Sequence, residues 1–244
     1  LLVWGASGQV ELFPEPDALP YERIVSDSST ELERFQVLSA LANIAGDDSA
    51  STVAPPLIVA SAPAFMQKLA SYSDFTAASH TIRLGMDVEP FHLLSRWQAI
   101  GYRLENMVEV PGTISHRGGI IDIYPPSSNL PARLEFFGNT VESIRLFDPT
   151  SQRSLRAVSS IAIAPTTELL TSSLNNKKDS LLNYLPQGAL LILDEPLNIK
   201  QAVEDLEAKA NELRDDKLER GELPHDFSRP YFTWSELEPR MENR

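Results

Sequence analysis

The residues best suited to chemistry by type and spacing are Asp194 and Glu195, which directly follow an apolar run at 188–193. An acidic pair after an apolar strand resembles a Walker B element, in which the Asp holds Mg²⁺ and the Glu orients water. That chemistry also needs a glycine-rich phosphate loop ending in Lys-Ser or Lys-Thr, and the sequence contains none. We therefore predict a strand end whose acids face solvent.

The other side chains able to do chemistry form no recognisable catalytic or metal site. The chain has four histidines, His80, His92, His116 and His225, and they are not spaced as metal ligands typically are. The chain has no cysteine, which excludes disulfides, thiol catalysis and thiolate metal sites. A serine nucleophile elbow is also missing from the sequence. We expect no metal and no catalytic centre.

A second group of residues is suited to binding a protein partner. In the strand predicted at 132–137, period-two alternation turns Arg133, Glu135 and Phe137 away from the core. An aromatic side chain beside an arginine on a solvent face is typical of an interface anchor. A phenylalanine that covers a helix edge or a loop explains Phe137 equally well.

Further arginines can extend the same surface. Arg117 can reach this face, although it can also simply pair with Asp122 or Glu135, as surface arginines usually do. Weaker candidates for the rim of the surface are Arg145, Arg153 and Arg156. For these three an ordinary surface position is the favoured interpretation.

The charge distribution separates the middle of the chain from its flanks. The net charge of -13 argues against a protein that wraps nucleic acid, because such affinity comes mainly from Lys and Arg. Residues 80–165 contain eight Arg, no Lys and eight acidic residues, so the whole net charge lies outside them. Arginine without lysine favours protein recognition, although a chance bias among eight residues explains it as well.

The elements that position these residues follow an α/β pattern on both sides of an antiparallel meander. Amphipathic helices are predicted at 31–45, at 199–220 and at 90–100, the last through Phe91, Leu94, Trp97 and Ile100. Apolar runs at 57–60 and 188–193 are typical of buried parallel strands. Meander strands are predicted at 113–117, 120–124, 132–137 and 140–147, with a tight turn or a bulge at Gly118-Gly119 and a hairpin turn at Gly138-Asn139.

Length and composition set the class of protein. A chain of 244 residues favours two or three compact units. It has no run approaching the ~20 apolar residues of a membrane span and no secretory signal at its start, so we expect a soluble, cytoplasmic protein. Because it begins with Leu1-Leu2, we expect a fragment that lacks its first β-α units.

Four separated blocks resemble the N-terminal part of the bacterial transcription-repair coupling factors and occur in that family's order. The blocks are LFPEPDALPYER at 12–23, GYRLENMVEVPGTISHRGGIIDIYPP at 101–126, ARLEFFGNTVESIRLFDPTSQRSL at 132–155 and LLNYLPQGALLILDEP at 181–196. The repair subunit UvrB shares this module, but there a long tyrosine-rich hairpin follows Leu-Phe-Pro. Because LFP at 12–14 runs within a few residues into LPYER at 19–23, the coupling factors are favoured.

The resemblance implies a fold and a set of contact residues. Residues 1–79 and 166–244 are expected to form a discontinuous, helicase-core-like α/β domain with a parallel sheet. Residues 80–165 are expected to form an inserted α+β domain that contains the meander and binds UvrA. Carried over by position, the UvrA contacts fall on Arg117, Arg133 and Phe137, with Glu135 and Arg145 as a possible rim. Asp194 and Glu195 fall at a degenerate Walker B position.

The resemblance also implies a function. We expect a non-catalytic fragment, without cofactors, that binds UvrA and recruits excision repair to a stalled RNA polymerase. ATP and Mg²⁺ would serve a motor outside this chain, and contacts with RNA polymerase and DNA would belong to other domains. In the family, the C-terminal domain covers the UvrA-binding face until the motor engages. The alternative is a fragment of a UvrB-like ATP-dependent repair helicase, which demands a phosphate loop upstream of Leu1.

Overall fold

A computed structural model describes residues 10–17, 19–22, 28–46, 56–166 and 178–242. These residues fall into two compact units. The flanking unit lies within 1–37, 41–69 and 178–244, and the central unit lies within 38–40 and 70–177. The chain therefore has a mixed α/β fold in which the middle of the sequence forms a unit of its own.

The described elements are seven helices and twelve strands. The helices are α1 (Ser28–Gly46), α2 (Ala62–Met66), α3 (Tyr72–Ala78), α4 (Pro90–Ala99), α5 (Leu181–Tyr184), α6 (Pro196–Glu219) and α7 (Trp234–Glu242). The strands are β1 (Val10–Phe13), β2 (Leu57–Ala60), β3 (Leu69–Ala70), β4 (His80–Arg83), β5 (Arg103–Leu104), β6 (Thr113–Arg117), β7 (Ile120–Tyr124), β8 (Ala132–Phe137), β9 (Thr140–Phe147), β10 (Ser154–Ala157), β11 (Ser160–Ile163) and β12 (Lys178–Asp179).

The central unit is organised around a six-stranded sheet in the order β10-β9-β8-β7-β6-β5. Its pairs are antiparallel except for β5 and β6, which run parallel. The four meander strands have the predicted bounds. Gly118 and Gly138, with φ of +60° and +59°, make the turns between them. Because L side chains rarely adopt this conformation, glycine fits both hairpins.

One face of this sheet forms the core of the central unit. The core also contains residues of α4, β4 and β11, and its fully buried members include Ile82, Trp97, Ile114, Ile121 and Leu134. The apolar side chains of the meander strands alternate into this core. Thr113, Ser115 and Asp122 on the opposite face are buried as well, so burial does not alternate along β6 and β7 as the sequence pattern predicts. The opposite face, called the outer face below, carries the predicted binding residues.

The position of helix α4 was predicted correctly, but the prediction of which of its side chains are buried was partly wrong. Glu89 caps the helix, since its carboxylate accepts from the amides of Phe91 and His92 at 3.0 and 2.6 Å. Leu94 and Trp97 are buried as predicted, but Phe91 is exposed and Leu93 is buried in its place. Phe91 lies in the first turn, where its ring meets the His116 ring edge-on at 5.1 Å rather than the core.

The flanking unit joins a parallel strand pair to a helical cluster. Strands β1 and β2 pair in parallel, as predicted for the run at 57–60, but β2 is not buried, and Leu57 lies exposed. Ser61 caps α2, with its hydroxyl oxygen accepting from the Ala64 amide at 3.3 Å. The helical cluster contains Tyr21, Met66, Val203, Leu206, Ala210, Tyr231, Phe232 and Leu237.

The apolar run at 188–193 is not a strand, contrary to the prediction. Gly188 has φ of +80° and the Ala189 amide donates to the Pro186 carbonyl at 3.2 Å, so the run begins in a turn. Leu190 and Ile192 are 84% and 71% exposed. A strand needs a neighbour that supplies the other half of the ladder, and the described residues supply none at this place.

No helix in the described part of the chain is long and apolar enough to cross a membrane.

Candidate partner-binding surface

The three predicted contact residues lie on the outer face of β6 and β8, the two strands that flank β7. Arg117 ends β6, whereas Arg133 and Phe137 lie on β8, four residues apart. Strand β9 contains one extra residue, Glu142, because Glu135 pairs with Ser143 and Phe136 pairs with Val141. The bulge thus lies in β9 and leaves the alternation of β8 intact. Arg133, Glu135 and Phe137 therefore share the outer face.

A buried carboxylate lies at the centre of this face. Asp122 of β7 is only 1% exposed and pairs with Arg133 across the ladder. The Arg133 Nε and Nη2 groups donate to the two Asp122 oxygens at 2.7 and 2.8 Å. These hydrogen bonds raise the pKa of the Arg133 guanidinium, so its charge is fixed. Arg117 approaches the same carboxylate more loosely, with its Nη2 at 3.7 Å from Oδ2.

Arg133 is further enclosed by the loop that follows β9. Its guanidinium carbon lies 4.7 Å from the centre of the buried Phe147 ring. Its Nη1 donates to the Gln152 backbone carbonyl at 3.4 Å, and the Gln152 side-chain amide Nε2 donates to the Val108 carbonyl at 3.2 Å. The Arg133 side chain is 20% exposed as a result. Most of its hydrogen-bonding capacity is used within the central unit.

Arg117 and Phe137 are open to solvent instead. The Arg117 side chain is 57% exposed, and Phe137 is 75% exposed. An aromatic ring so exposed on a sheet face is costly in water and typical of a contact site. Phe137 is therefore available to a partner. Arg117 is largely exposed too, although it makes the ion pair with Asp122 that the alternative interpretation expected.

The predicted rim residues pair with each other. Arg145 Nη2 lies 3.3 Å from Glu135 Oε2, and the Ser143 hydroxyl donates to the same oxygen at 2.6 Å. Arg145 also pairs with Arg133 in the ladder. Glu135 and Asp122 each neutralise one of these two like charges, which would otherwise repel across the strands.

The turn between β6 and β7 lies close to the end of β8, and this close approach requires glycine at position 119. The Phe136 amide donates to the Gly119 carbonyl at 2.8 Å, which extends the β7–β8 ladder into the turn. A Cβ on Gly119 would lie 3.0 Å from the Phe136 carbonyl oxygen, so the backbones could not approach this closely. A Cβ on Gly118 would meet nothing within 4 Å. The turn thus lies against β8 without a side chain that covers Phe137.

Asp194 and Glu195 do not lie at a strand end, because the expected strand is not formed. Both side chains are exposed, as predicted for acids facing solvent. Glu195 has φ of +54° and occupies the cap position of α6, where its carboxylate accepts from the Asn198 side chain at 2.6 Å. Glu195 is thus the residue from which α6 begins, and it is not the end of a strand.

The described residues include no group of three or more His, Asp or Glu side chains that could hold a metal ion. His80 takes part in a hydrogen bond within the central unit, because the Trp97 indole N–H donates to its Nε2 at 2.9 Å. Burial lowers the pKa of His80, and Arg96 lowers it further. The lowered pKa favours the neutral ring, whose Nε2 accepts the Trp97 hydrogen bond at the edge of the core.

Sequence reasoning identified the face but not two of its features. The burial of Asp122 was not predicted, although its position between Ile121 and Ile123 marks it as a polar residue in an otherwise apolar strand. Ile120, 37% exposed on the outer face opposite Arg117, was also overlooked. Its signal is an apolar residue at a position where the alternation of β7 predicts a polar one.

Comparison with known proteins first gives the class of module. Residues 81–169 match the family described as the UvrB interaction domain. This match contains the whole outer face of the sheet, including Asp122 and the predicted binding residues. The match lies entirely within the central unit.

The comparisons then give the particular proteins that the chain resembles. It is 30% identical to the transcription-repair-coupling factor of Bacillus subtilis over 89% of its own length and 22% of that protein. It is 34% identical to the coupling factor of Myxococcus xanthus over 64% of its length and 12% of that protein. UvrABC system protein B of Pseudothermotoga lettingae is 31% identical over 47% of this chain and 18% of that protein.

These similarities confirm the resemblance to the coupling factors that the four sequence blocks predicted. The chain is similar to a transcription-repair coupling factor over most of its length. It spans about a fifth or less of the length of the three relatives described above.

Proposed function

We propose that this chain is the part of a transcription-repair coupling factor that binds UvrA, and that it binds through Arg117, Arg133 and Phe137. The proposal is supported by the UvrB interaction domain match at 81–169. The observation that carries it is the exposed Phe137 ring on the same sheet face as the largely exposed guanidinium of Arg117, at the positions that the family resemblance assigns to UvrA contacts.

The three residues contribute differently. Phe137 is the apolar anchor, which gains most from removal from water. Arg117 offers charge-assisted hydrogen bonds, because its 3.7 Å contact with Asp122 leaves its donors available. Arg133 stabilises the surface from beneath through Asp122 and presents only its remaining N–H groups. Glu135 and Arg145 border the surface as a rim pair.

The wider role follows from the similarity to coupling factors. In this proposal the chain is a non-catalytic cytoplasmic module, and residues of the flanking unit belong to a discontinuous, helicase-core-like domain. UvrA binding recruits excision repair to a stalled RNA polymerase. The ATP- and Mg²⁺-dependent motor and the contacts with RNA polymerase and DNA lie in other parts of the longer protein. Its C-terminal domain covers this surface until the motor engages.

The experiment that tests the proposal is a pull-down of the chain with purified UvrA. Phe137→Ala and Arg117→Ala should each reduce the retained UvrA at least about tenfold, because truncating a buried interface anchor typically costs about 2 kcal/mol or more. Unchanged retention with both variants would overturn the proposal.

The match to UvrABC system protein B supports a second candidate, a fragment of a UvrB-like repair helicase. This candidate requires nucleotide hydrolysis, whereas the coupling-factor module requires none. A lysine-bearing phosphate loop in the part of the longer protein that precedes Leu1 would favour the helicase, and a sequence there without such a loop would favour the coupling factor.

A further inference from the structure

Like Phe137, Ile120 is an exposed apolar side chain on the outer face of the sheet. It begins β7, and the next apolar residues of that strand, Ile121 and Ile123, are fully buried on the core face. Ile120 pairs with Arg117 on one side and with Glu135 on the other. Paired residues share a face, so Ile120 lies on the outer face between two charged side chains.

Ile120 and Phe137 are neighbours across the β7–β8 ladder. Phe137 lies two residues beyond Glu135, the ladder partner of Ile120, and therefore on the same face. Such diagonal pairs lie about 7–8 Å apart, within reach of an aromatic side chain. The residues before Ile120 are Gly118 and Gly119, which carry no side chain to cover the pair.

The charged groups around this apolar pair are mainly arginines with exposed donors. Arg117 lies directly beside Ile120 and is largely exposed. Arg145 is 46% exposed and makes one ion pair, with Glu135 at 3.3 Å. A surface that complements this arrangement is apolar at its centre and carries carboxylates where the arginines meet it.

We propose that Ile120 is a direct partner-contact residue and forms a two-point apolar anchor with Phe137. The partner's site is then an apolar depression bordered by carboxylates. This proposal deepens the proposed function and rests on it, since UvrA is the partner whose site is described. It adds a contact residue and states the chemistry of the surface that receives it.

The test is a titration of the whole chain against UvrA with substitutions at Ile120. Ile120→Ala should raise Kd about fivefold or more when binding is measured well below the melting temperature of both proteins. Leu155→Ala, at an exposed leucine of β10 in the same sheet, is the matched control and should leave Kd unchanged. Ile120→Lys should bind more tightly than Ile120→Glu, since only the lysine attracts rim carboxylates.

The outcomes separate the two proposals. If Phe137→Ala weakens binding and Ile120→Ala does not, the assignment of Ile120 is wrong while the proposed function stands. If the natural chain does not bind UvrA, both fail. If Ile120→Glu binds as tightly as Ile120→Lys, the partner's rim is not acidic, and that part of the proposal is overturned.

Discussion

Two arginines of the outer face approach the same buried carboxylate, that of Asp122, but they depend on it to different degrees. Arg133 makes two short hydrogen bonds with it, whereas Arg117 makes one contact of 3.7 Å. A buried charge that loses its partner is strongly destabilising. An exposed pair contributes little. The two arginines should therefore differ in their effects on stability.

Replacement of Arg133 by alanine should destabilise the protein by about 3–5 kcal/mol, because Asp122 would remain buried without its bidentate partner. Arg117→Ala should change the free energy of unfolding by less than about 1 kcal/mol. Denaturant titration of both variants gives these values. Equal and small losses would show that Asp122 does not depend on Arg133.

The His80–Trp97 hydrogen bond should make stability depend on pH. The pKa of His80 is lowered in the folded chain, so the unfolded state takes up a proton first as the pH falls below about 6.5. The contribution of neutral His80 is complete above that pH and is lost progressively below it. Arg96 adds to the effect, since it disfavours a second positive charge nearby.

The measurement compares the natural chain with His80→Gln at pH 7.5 and 5.5. Glutamine can accept the Trp97 hydrogen bond without titrating, while the carboxylates are common to both proteins. The natural chain should lose more stability between the two pH values than the variant. An equal loss would mean that His80 does not titrate with folding in this range.

At the scale of elements, the β6–β7 hairpin is held against β8 by Gly119. The contact of 3.0 Å between a Cβ at Gly119 and the Phe136 carbonyl involves backbone, which cannot rotate away. Gly119→Ala should therefore cost about 1–3 kcal/mol of stability, as overpacking typically does. Gly118→Asn is the control, because asparagine tolerates a φ of +60° and the site is open. Comparable losses for both variants in denaturant titration would contradict this account.

The meander could be predicted from the sequence because its information is local. Alternation and glycine turns fix the bounds of the four strands and the face of Arg133 and Phe137. Whether Arg133 is free or clamped depends on Asp122, which is eleven residues away in the chain and adjacent only through strand pairing. The local pattern therefore does not reveal that Arg133 is clamped.

Two elements show where local patterns fail. The period of α4 was correct, but Phe91 lies in its first turn, where the core does not reach it, and Leu93 is buried instead.

The run at 188–193 has the composition of a buried strand, yet a strand exists only when a neighbour completes its hydrogen bonds. That requirement is tertiary and cannot be recognised in the run itself.

At the scale of the whole molecule, the charge argues against DNA as a direct ligand of this chain. The net charge of -13 lies outside residues 80–165, which are neutral. Because DNA affinity depends on phosphate neutralisation, low micromolar protein at physiological salt should not retard duplex DNA in a gel-shift assay. A retarded band that weakens with added salt would contradict this expectation.

The central claim is that the outer face of the six-stranded sheet binds UvrA. Isothermal titration of UvrA with the natural chain, with Phe137→Ala and with Phe91→Ala tests it most directly. Both phenylalanines are exposed in the central unit, but only Phe137 lies on the outer face of the sheet. Phe137→Ala should raise Kd at least about tenfold, whereas Phe91→Ala should leave it unchanged. Equal Kd values for all three proteins would contradict it.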